Sequence, residues 1–191
     1  MERMQVTRCP WCGNDPLYVK YHDEEWGVPV HDDQKHFEFL VLESAQAGLS
    51  WLTVLRKREN YRNALDGFDV KKISNYGEKK LEELLLNPGI IRNRLKLNAT
   101  VNNALKFQEV VREFKSFDNY IWSFTKNKII YNHFDSISEL PAKTELSDKI
   151  SKDLIKRGFK FVGSTIIYAH LQAIGVVNDH LTSCFRYSVK E

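Results

Sequence analysis

Residues 156–165 read Lys-Arg-Gly-Phe-Lys-Phe-Val-Gly-Ser-Thr, which places a short glycine-flanked turn between two predicted helices. Backbone N–H groups at the start of the second helix point outward and, together with the helix dipole, favour a phosphate group. Lys156, Arg157 and Lys160 add positive charge, which gives salt-sensitive affinity that does not depend on base sequence. The stretch predicts either a phosphate-binding hairpin or a helix–turn–helix corner of the core with solvated lysines.

Helical periodicity continues on both sides of this turn. Leu146, Ile150 and Leu154 recur every fourth residue before it, and a helix is predicted over residues 164–174 after it. Convincing strand alternation is missing, and residues 128–134 leave a strand and an extended loop equally open. The fold class is therefore predicted to be all-α. The other predicted helices span residues 34–47, 50–65, 78–86 and 92–114, with a short one opening at Ser116 or Asp118.

The sequence also predicts the cap of one of these helices and the buried face of another. Asp33 is predicted to cap the helix over residues 34–47, because a short acidic side chain accepts hydrogen bonds from free N–H groups there. The helix over residues 92–114 is amphipathic. Its buried side is predicted to consist of Leu95, Leu97, Val101, Leu105, Val110 and Val111.

Length and composition are those of an ordinary globular protein. The 191 residues, 42% hydrophobic and 28% charged, predict a single domain over 1–191 with a core that needs no disulfides. No window approaches the roughly 18 apolar residues of a membrane span, and Met1-Glu2-Arg3 does not begin a signal peptide. We therefore expect a cytoplasmic monomer without a membrane partner.

The net charge of +3 is too small to prove a polyanionic partner, but the bases are clustered. Residues 84–108 contain basic residues and no acid, and residues 149–160 contain five bases and the single acid Asp153. Such runs are more often solvated helix faces than binding surfaces.

Cysteine and histidine residues at the two ends of the chain predict a metal site. His180 and Cys184 are four apart, so on a helix they would share one face. Zinc prefers four thiolate or imidazole ligands, and a site with four protein ligands is structural. Cys9 is the leading third ligand, while Cys12 and His22 compete for the fourth place. The alternative is that the cysteines are small buried hydrophobes. The other histidines have no partner at metal spacing and are expected to be ordinary residues: His31, His36, His133 and the core candidate His170.

Aromatic residues and one carboxylate suggest a site for a flat ligand. Flat rings can sandwich a nucleobase by stacking, and they attract a cationic base further. Glu43 lies near the end of a mostly apolar helix, where a carboxylate is either on an exposed flank or committed to a partner. The alternative for the rings is a small N-terminal core. The rings are Trp11, Tyr18, Tyr21, Trp26 and Trp51.

Four blocks of sequence stand out: Asp-Pro-Leu-Tyr-Val-Lys-Tyr-His-Asp-Glu-Glu-Trp-Gly-Val-Pro at 15–29, Leu-Glu-Ser-Ala-Gln-Ala-Gly-Leu-Ser-Trp at 42–51, Arg-Gly-Phe-Lys-Phe-Val-Gly at 157–163 and Val-Asn-Asp-His at 177–180. Together these blocks resemble the bacterial constitutive 3-methyladenine DNA glycosylase I family. They run in family order over nearly the whole chain. The resemblance implies a helix-hairpin-helix DNA glycosylase fold with a zinc site that ties residues 9–22 to residues 180–184.

The resemblance also implies roles for individual residues. The Zn²⁺ ligands would be Cys9, His22, His180 and Cys184, one structural ion per chain, which leaves Cys12 spare. Glu43 would be the catalytic residue and would recognise the base. Trp11, Tyr18, Tyr21, Trp26, Gln46 and Trp51 would line the base pocket. Leu49 would fill the gap left by a flipped nucleotide, and Lys160, Gly163 and Ser164 would contact the DNA backbone.

Two positions depart from the wider superfamily. Phe161 stands where the general hairpin consensus has glycine, so phosphate contact is more assured through Gly163 and Ser164. Asn178 stands where the superfamily has its usual catalytic aspartate, a substitution that the glycosylase I family shares. Asp179 is one residue away and would point elsewhere on a helix.

The activity implied by the resemblance is base-excision repair. The chain would flip 3-methyladenine out of alkylated double-stranded DNA and remove it by hydrolysis. No lysine is positioned to form a Schiff base, so a monofunctional enzyme without lyase activity is expected. One alternative is a non-enzymatic, zinc-stabilised helix-hairpin-helix module that binds DNA. Another is a metallohydrolase, which requires an open zinc position.

Overall fold

The computed structural model describes residues 6–188, and the expectation about Met1-Glu2-Arg3 lies outside that range. Over those residues the fold is all-α, as predicted. The helices are α1 (Pro16–Glu24), α2 (Asp33–Gln46), α3 (Trp51–Ala64), α4 (Val70–Ile73), α5 (Glu78–Leu86), α6 (Arg94–Phe114), α7 (Phe117–Ser123), α8 (Glu145–Lys156) and α9 (Ser164–Ala173). Short 3₁₀ turns cover Pro10–Cys12, Asp66–Phe68 and Ile137–Glu139. None of these described helices has the length and apolar composition needed to cross a membrane.

Helix α2 is the centre of the core. Its residues 36–45 are all buried, and it packs against α3, α6, α7 and α9. A helix that is surrounded on all sides must be apolar on all sides, which explains the run Phe-Leu-Val-Leu at positions 39–42. The same burial gives every polar residue on α2 a specific environment.

The N-terminus of α2 differs from the prediction by one residue. Asp32 is the cap, because its carboxylate accepts a hydrogen bond of 2.8 Å from the backbone N–H of Lys35. Asp33 instead accepts hydrogen bonds from the backbone N–H groups of Phe117 and Asp118, at 3.0 and 2.9 Å. Asp33 therefore joins α2 to the start of α7.

The predicted buried side of α6 was partly wrong. Leu97 and Val110 are buried, but Leu95 and Leu105 are 70% and 48% exposed. The buried face follows the small and polar residues between them, and Asn103 is 3% exposed. A pattern based on large aliphatic residues alone misses this face, because the hairpin packs against α6 through hydrogen bonds. The buried residues of α6 are Leu97, Ala99, Thr100, Asn103, Ala104, Phe107 and Val110.

A two-residue parallel pairing resolves the undecided segment at 128–134. Strand β1 (Ile130–Tyr131) pairs with β2 (Val177–Asn178), with Ile130 opposite Val177. The pairing lies directly before residues 179–184 and holds the C-terminal segment against the helical core.

The stretch at 156–165 forms the predicted hairpin between α8 and α9. Asn103 on α6 exchanges two hydrogen bonds of 2.8 Å with the backbone of Lys160. Ser151 donates a 2.7 Å hydrogen bond to the carbonyl of Val162. Phe161 adopts a left-handed backbone with φ of 54°, the conformation that explains why glycine suits this position. The hairpin is thus fixed by side chains on the helices below it.

Candidate active site

A cavity of about 260 Å³ opens between α1, α2, α9 and the 3₁₀ turn at Ile137–Glu139. It contains Glu43 and every residue that the sequence assigned to a base pocket. The walls from the 3₁₀ turn and from α9 were not predicted, because no sequence motif marks them. The lining residues are Trp11, Tyr18, Tyr21, Trp26, Glu43, Gln46, Trp51, Ile137, Leu140, Ala169 and Gln172.

Helix α1, which sequence analysis did not identify, positions the two tyrosines. Asp15 caps it by accepting hydrogen bonds from the N–H groups of Leu17 and Tyr18, and Pro16 is its first residue. This Asp-Pro pair was the signal that could have revealed the helix. Tyr18 and Tyr21 are three apart and share its inner face, and burial raises the pKa of both hydroxyls.

The rings of the cavity pack at angles to one another. Trp11 lies with its ring centroid 5.1 Å from that of Tyr18 and 4.9 Å from that of Trp26. Tyr21 and Trp51 are 5.3 Å apart on another part of the wall. All of these rings line the cavity, so a flat ligand inside it would be surrounded by aromatic side chains. The alternative of a small N-terminal core is half correct, because Tyr21, Trp26 and Trp51 are also buried.

Glu43 is 4% exposed, and no described residue donates a hydrogen bond to its carboxyl group. Burial raises the pKa of Glu43 to about 8, because a charge removed from water without a partner is unfavourable. Glu38, one and a half turns earlier on α2, is as buried but binds Arg58 at 2.6 Å. Glu43 therefore stands out as a buried carboxyl group that faces a cavity with no protein partner.

A second cavity of about 220 Å³ adjoins the first and shares Glu43, Gln46 and Ala169 with it. The turn at 47–49 and the first turns of α9 form its other walls. Leu49 lies on this turn and is 41% exposed. Lys96 on α6 holds the turn by donating hydrogen bonds to the carbonyls of Ala45 and Ala47, at 2.8 and 2.7 Å.

Four buried side chains from the two ends of the chain form a group that could hold a metal ion. Their ligand atoms all lie within 4.8 Å of one another. Sulfur-to-nitrogen distances are 3.4 Å for Cys184–His22 and 3.6 Å for both Cys9–His180 and Cys184–His180. Zn–S and Zn–N bonds at tetrahedral angles give about 3.5–3.6 Å between such atoms. The set is Cys9, His22, His180 and Cys184.

The surroundings of the two histidines fit metal ligation. His22 Nδ1 hydrogen-bonds to Asp23 at 2.7 Å, and His180 Nε2 hydrogen-bonds to the carbonyl of Trp26 at 3.1 Å. Each bond occupies the ring nitrogen that faces away from the cluster, so the other nitrogen faces the sulfur atoms as a metal ligand must, although His22 Nε2 also lies 3.3 Å from the backbone N–H of Cys9. Arg8 in turn binds Asp23 through two nitrogens, at 2.7 and 2.8 Å.

His180 and Cys184 share one side of the cluster without lying on a helix. His180 and Cys184 lie in irregular turns that follow β2, and a hydrogen bond from Cys184 N–H to the Leu181 carbonyl brings them together. Cys12 is buried but outside the cluster, and its thiol donates to the carbonyl of Cys9.

The group of Cys9, His22, His180 and Cys184 touches the cavity through its two imidazole rings. Trp11 packs against His22 with centroids 5.2 Å apart, and Trp26 packs edge-on against His180 at 4.7 Å. Gly27 follows Trp26 with φ of 77°, and a Cβ there would lie 3.1 Å from the His180 ring. The two sites therefore form one continuous structure.

The hairpin presents free N–H groups to solvent. Within residues 6–188 no acceptor lies within hydrogen-bonding distance of the backbone N–H groups of Gly163 and Ser164. Lys160 is exposed, but Arg157 is engaged by Glu113 and Asp153, at 2.6 and 2.7 Å. The charge available for a phosphate is thus smaller than the sequence suggested.

The position of the superfamily aspartate has a structural role here. Asn178 accepts a hydrogen bond of 3.3 Å from the backbone N–H of His180. Asp179 lies beyond β2 rather than on a helix, is 1% exposed, and accepts hydrogen bonds from Asn132, Tyr168 and Gln172. It does not line the cavity, and Glu43 is the only carboxylate among the described residues that does.

Comparisons with known proteins agree with this geometry. Residues 11–187 match the model of a family described as methyladenine glycosylase. DNA-3-methyladenine glycosylase 1 of Escherichia coli (strain K12) is 47% identical over 182 residues, which cover 95% of this chain and 97% of that protein.

Solved structures show the same similarity in three dimensions. A crystal structure of 3-methyladenine DNA glycosylase I has a TM-score of 0.93 at 47% identity, covering 95% of this chain and all of that one. A tyrosine-to-phenylalanine variant of 3-methyladenine DNA glycosylase I, solved with 3-methyladenine bound, has a TM-score of 0.92 at 33% identity, covering 96% and 99%. The chain belongs to the methyladenine glycosylase family.

Proposed function

We propose that this protein is a DNA-3-methyladenine glycosylase that hydrolyses the bond between the damaged base and its deoxyribose. The observation that carries the proposal is the partnerless Glu43 in a small cavity walled by aromatic rings. At about 260 Å³ the cavity lies just below the range of about 300–1,000 Å³ for ligand pockets, which suits a single base. The bound 3-methyladenine in a related structure supports this assignment.

The positive charge of the substrate explains why the cavity is lined by aromatic rings and one carboxyl group. Methylation at N3 makes adenine cationic in DNA, so the ring faces attract it and a carboxylate can neutralise it. Glu43 has a pKa of about 8 in the free protein and is therefore mostly neutral at pH 7. The entering cation favours the ionised carboxylate, so Glu43 releases its proton as the base binds. An uncharged base brings no positive charge into the cavity and so does not favour ionisation of Glu43.

The reaction needs little chemical assistance from the protein. The bond from C1′ to the base breaks with both electrons going to the cationic base, which leaves as neutral 3-methyladenine. Water adds its oxygen to C1′ and loses a proton. The protein holds the base outside the helix and aligns the sugar. We assign no residue to activation of the water, and we propose a monofunctional reaction without lyase chemistry.

The DNA contacts proposed for the remaining residues follow from their exposure. Leu49 on the turn beside the second cavity can fill the space of the flipped nucleotide. Lys160 and the free N–H groups of Gly163 and Ser164 can bind phosphate. These contacts position double-stranded DNA without reading its sequence. The single domain over 1–191, the monomeric state and the cytoplasmic location stay predictions.

We also propose that the Cys/His cluster holds one structural Zn²⁺. Cys9, His22, His180 and Cys184 provide two thiolates and two imidazoles, a set typical of structural zinc. All four are buried, which leaves no position for a reacting water and disfavours a metallohydrolase. Zinc there would hold the two ends of the chain together and thereby fix Trp11 and Trp26.

The metal proposal is tested by comparing two cysteine variants. We expect Cys184→Ser to lose the stoichiometric zinc and to unfold about 10 °C lower or more, because a structural metal contributes folding free energy. Cys12→Ser is the matched control: it is equally buried, and its hydroxyl can keep the bond to the Cys9 carbonyl. Metal content and thermal unfolding are the measurements. Zinc retained by Cys184→Ser, or lost equally by Cys12→Ser, would contradict the assignment.

The burial of Glu43 predicts a pH-dependent stability. Its pKa is about 8 when folded and 4.5 in its ordinary range, so the folded state binds the proton more tightly. That contribution is complete below about pH 4.5 and is lost as the pH rises through 8. We expect Glu43→Gln to be more stable than wild type at pH 9, by about 1–3 kcal/mol, and little different at pH 5.

The matched control for this measurement is Glu38→Gln. Glu38 is buried on the same helix, and although burial opposes its ionisation, the Arg58 guanidinium lowers its pKa. Removing its charge takes one of two carboxylate partners from the buried Arg58, which keeps only Glu25, and is expected to destabilise the protein at pH 9. Denaturant unfolding at both pH values gives the free energies. Destabilisation by Glu43→Gln at pH 9 would show that its carboxylate has a partner in the free protein.

The activity is tested by release of free bases from methylated duplex DNA, separated by chromatography. We expect wild type to release 3-methyladenine, with kcat/KM rising with pH up to about 8 as Glu43 ionises in the free protein. Glu43→Gln should lower kcat/KM on the order of 100-fold and remove this pH dependence, because the cation loses its carboxylate. No release by folded, zinc-loaded wild type would leave the non-enzymatic DNA-binding module as the function.

A further inference from the structure

Gln172 lines the base cavity but has no part in the function proposed above. It lies on the last turn of α9, one turn after Ala169, which lines the same wall. Its backbone carbonyl accepts a 3.0 Å hydrogen bond from Gly27, so the residue is fixed to the segment that follows α1. The backbone of Gln172 is therefore fixed both by α9 and by Gly27.

The side-chain amide of Gln172 is oriented by a buried carboxylate. Gln172 Nε2 donates a 2.8 Å hydrogen bond to Oδ2 of Asp179, which is 1% exposed. Tyr168, four residues earlier on α9, donates its hydroxyl to the same oxygen, and Asn132 donates to Oδ1 at 2.6 Å. Three donors surround one carboxylate.

This arrangement decides which end of the amide is free. A carboxylate only accepts hydrogen bonds, so the NH₂ end of Gln172 must face Asp179. Rotation of the amide would place its carbonyl oxygen against Asp179, with two acceptors facing each other. Among residues 6–188 no group donates to Gln172 Oε1. Gln172, a lining residue, therefore has a free acceptor, Oε1, and Asp179 prevents the amide from turning to present a donor in its place.

The substrate offers few groups that match a fixed acceptor. In 3-methyladenine attached to deoxyribose, the only N–H bonds of the base are the two on its exocyclic amine. A fixed acceptor in the cavity can therefore be satisfied by that amine alone. An acceptor that is buried against the ligand without a donor is costly, which makes such a group a strong discriminator.

We propose that Gln172 is a specificity-determining residue whose Oε1 accepts a hydrogen bond from the exocyclic amine of 3-methyladenine, and that Asp179 is the positioning residue that orients it. This inference rests on the proposed function, because it concerns the base that the cavity binds. It also gives Asp179 a role at the position next to the aspartate that this chain lacks.

A structural role for both residues gives a different expectation. Asp179 also links α9 to the segment after β2, so its loss could simply loosen the fold. Loosening would weaken every ligand by a similar factor. Loss of the proposed hydrogen bond would weaken only ligands that carry the amine. The ratio of two affinities therefore separates these explanations.

The test compares free 3-methyladenine with 3-methylpurine, which lacks only the exocyclic amine. Binding is followed by the fluorescence of the tryptophans in the cavity wall. We expect wild type to prefer 3-methyladenine, and Gln172→Leu to reduce that preference on the order of tenfold by weakening 3-methyladenine alone. Asp179→Asn should reduce it similarly, because an asparagine can face Gln172 with either end. Gln108→Leu is the control, since Gln108 bonds within its own helix, away from the cavity.

Each outcome decides the inference. Equal preference in wild type and Gln172→Leu, or a wild type that binds neither base, would overturn it. A preference lost in Gln172→Leu but retained in Asp179→Asn would remove the role of Asp179. Should Asp179→Asn fail to fold, Gln172→Leu still tests the contact. A wild type that shows the Gln172-dependent preference but releases no base from methylated DNA would overturn the proposed function and leave this inference standing.

Discussion

The contact between the Cys/His group (Cys9, His22, His180 and Cys184) and the aromatic wall is the interaction on which the rest of the site depends. Trp11 lies against His22 with ring centroids 5.2 Å apart, and Trp26 lies edge-on to His180 with ring centroids 4.7 Å apart. A structural metal site far from the base cavity could only stabilise the fold. Here His22 and His180 pack directly against Trp11 and Trp26, so the geometry of the cavity depends on the joining of the two chain ends.

The second constraint is the burial of Glu43 on a helix that packs on all sides. The free protein holds a carboxyl group whose pKa is raised to about 8 and which has no described partner. Arg58 resolves the same problem for Glu38, so the fold can pair a buried acid on α2 when pairing is required. Leaving Glu43 without a partner lowers stability at neutral pH, and in the function we propose it leaves the carboxylate available to a cationic base. Such a trade of stability for function is common at binding sites.

Much of this was predictable from sequence where chemistry is local. The hairpin and the central helix follow from turn residues and apolar runs. Residue spacing pointed to a Cys/His group but left Cys12 and His22 as alternatives, and only the family resemblance selected Cys9, His22, His180 and Cys184. Features that depend on tertiary contacts were missed. Leu95 faces solvent because hydrogen bonds from Asn103 to the hairpin set the buried face of α6. Gln172 carries no motif, since its role comes from Asp179, which is near it only after β2 has paired.

If zinc in the Cys/His group positions the rings that bind the base, removing the zinc must weaken base binding before it unfolds the protein. The affinity for free 3-methyladenine is measured for zinc-loaded, zinc-depleted and zinc-restored protein, with helix content followed by circular dichroism. We expect depletion to weaken binding at least tenfold while most helical signal remains, and added zinc to restore the affinity. Equal affinity with and without zinc, in protein that stays folded, would show that the Cys/His group does not position the rings.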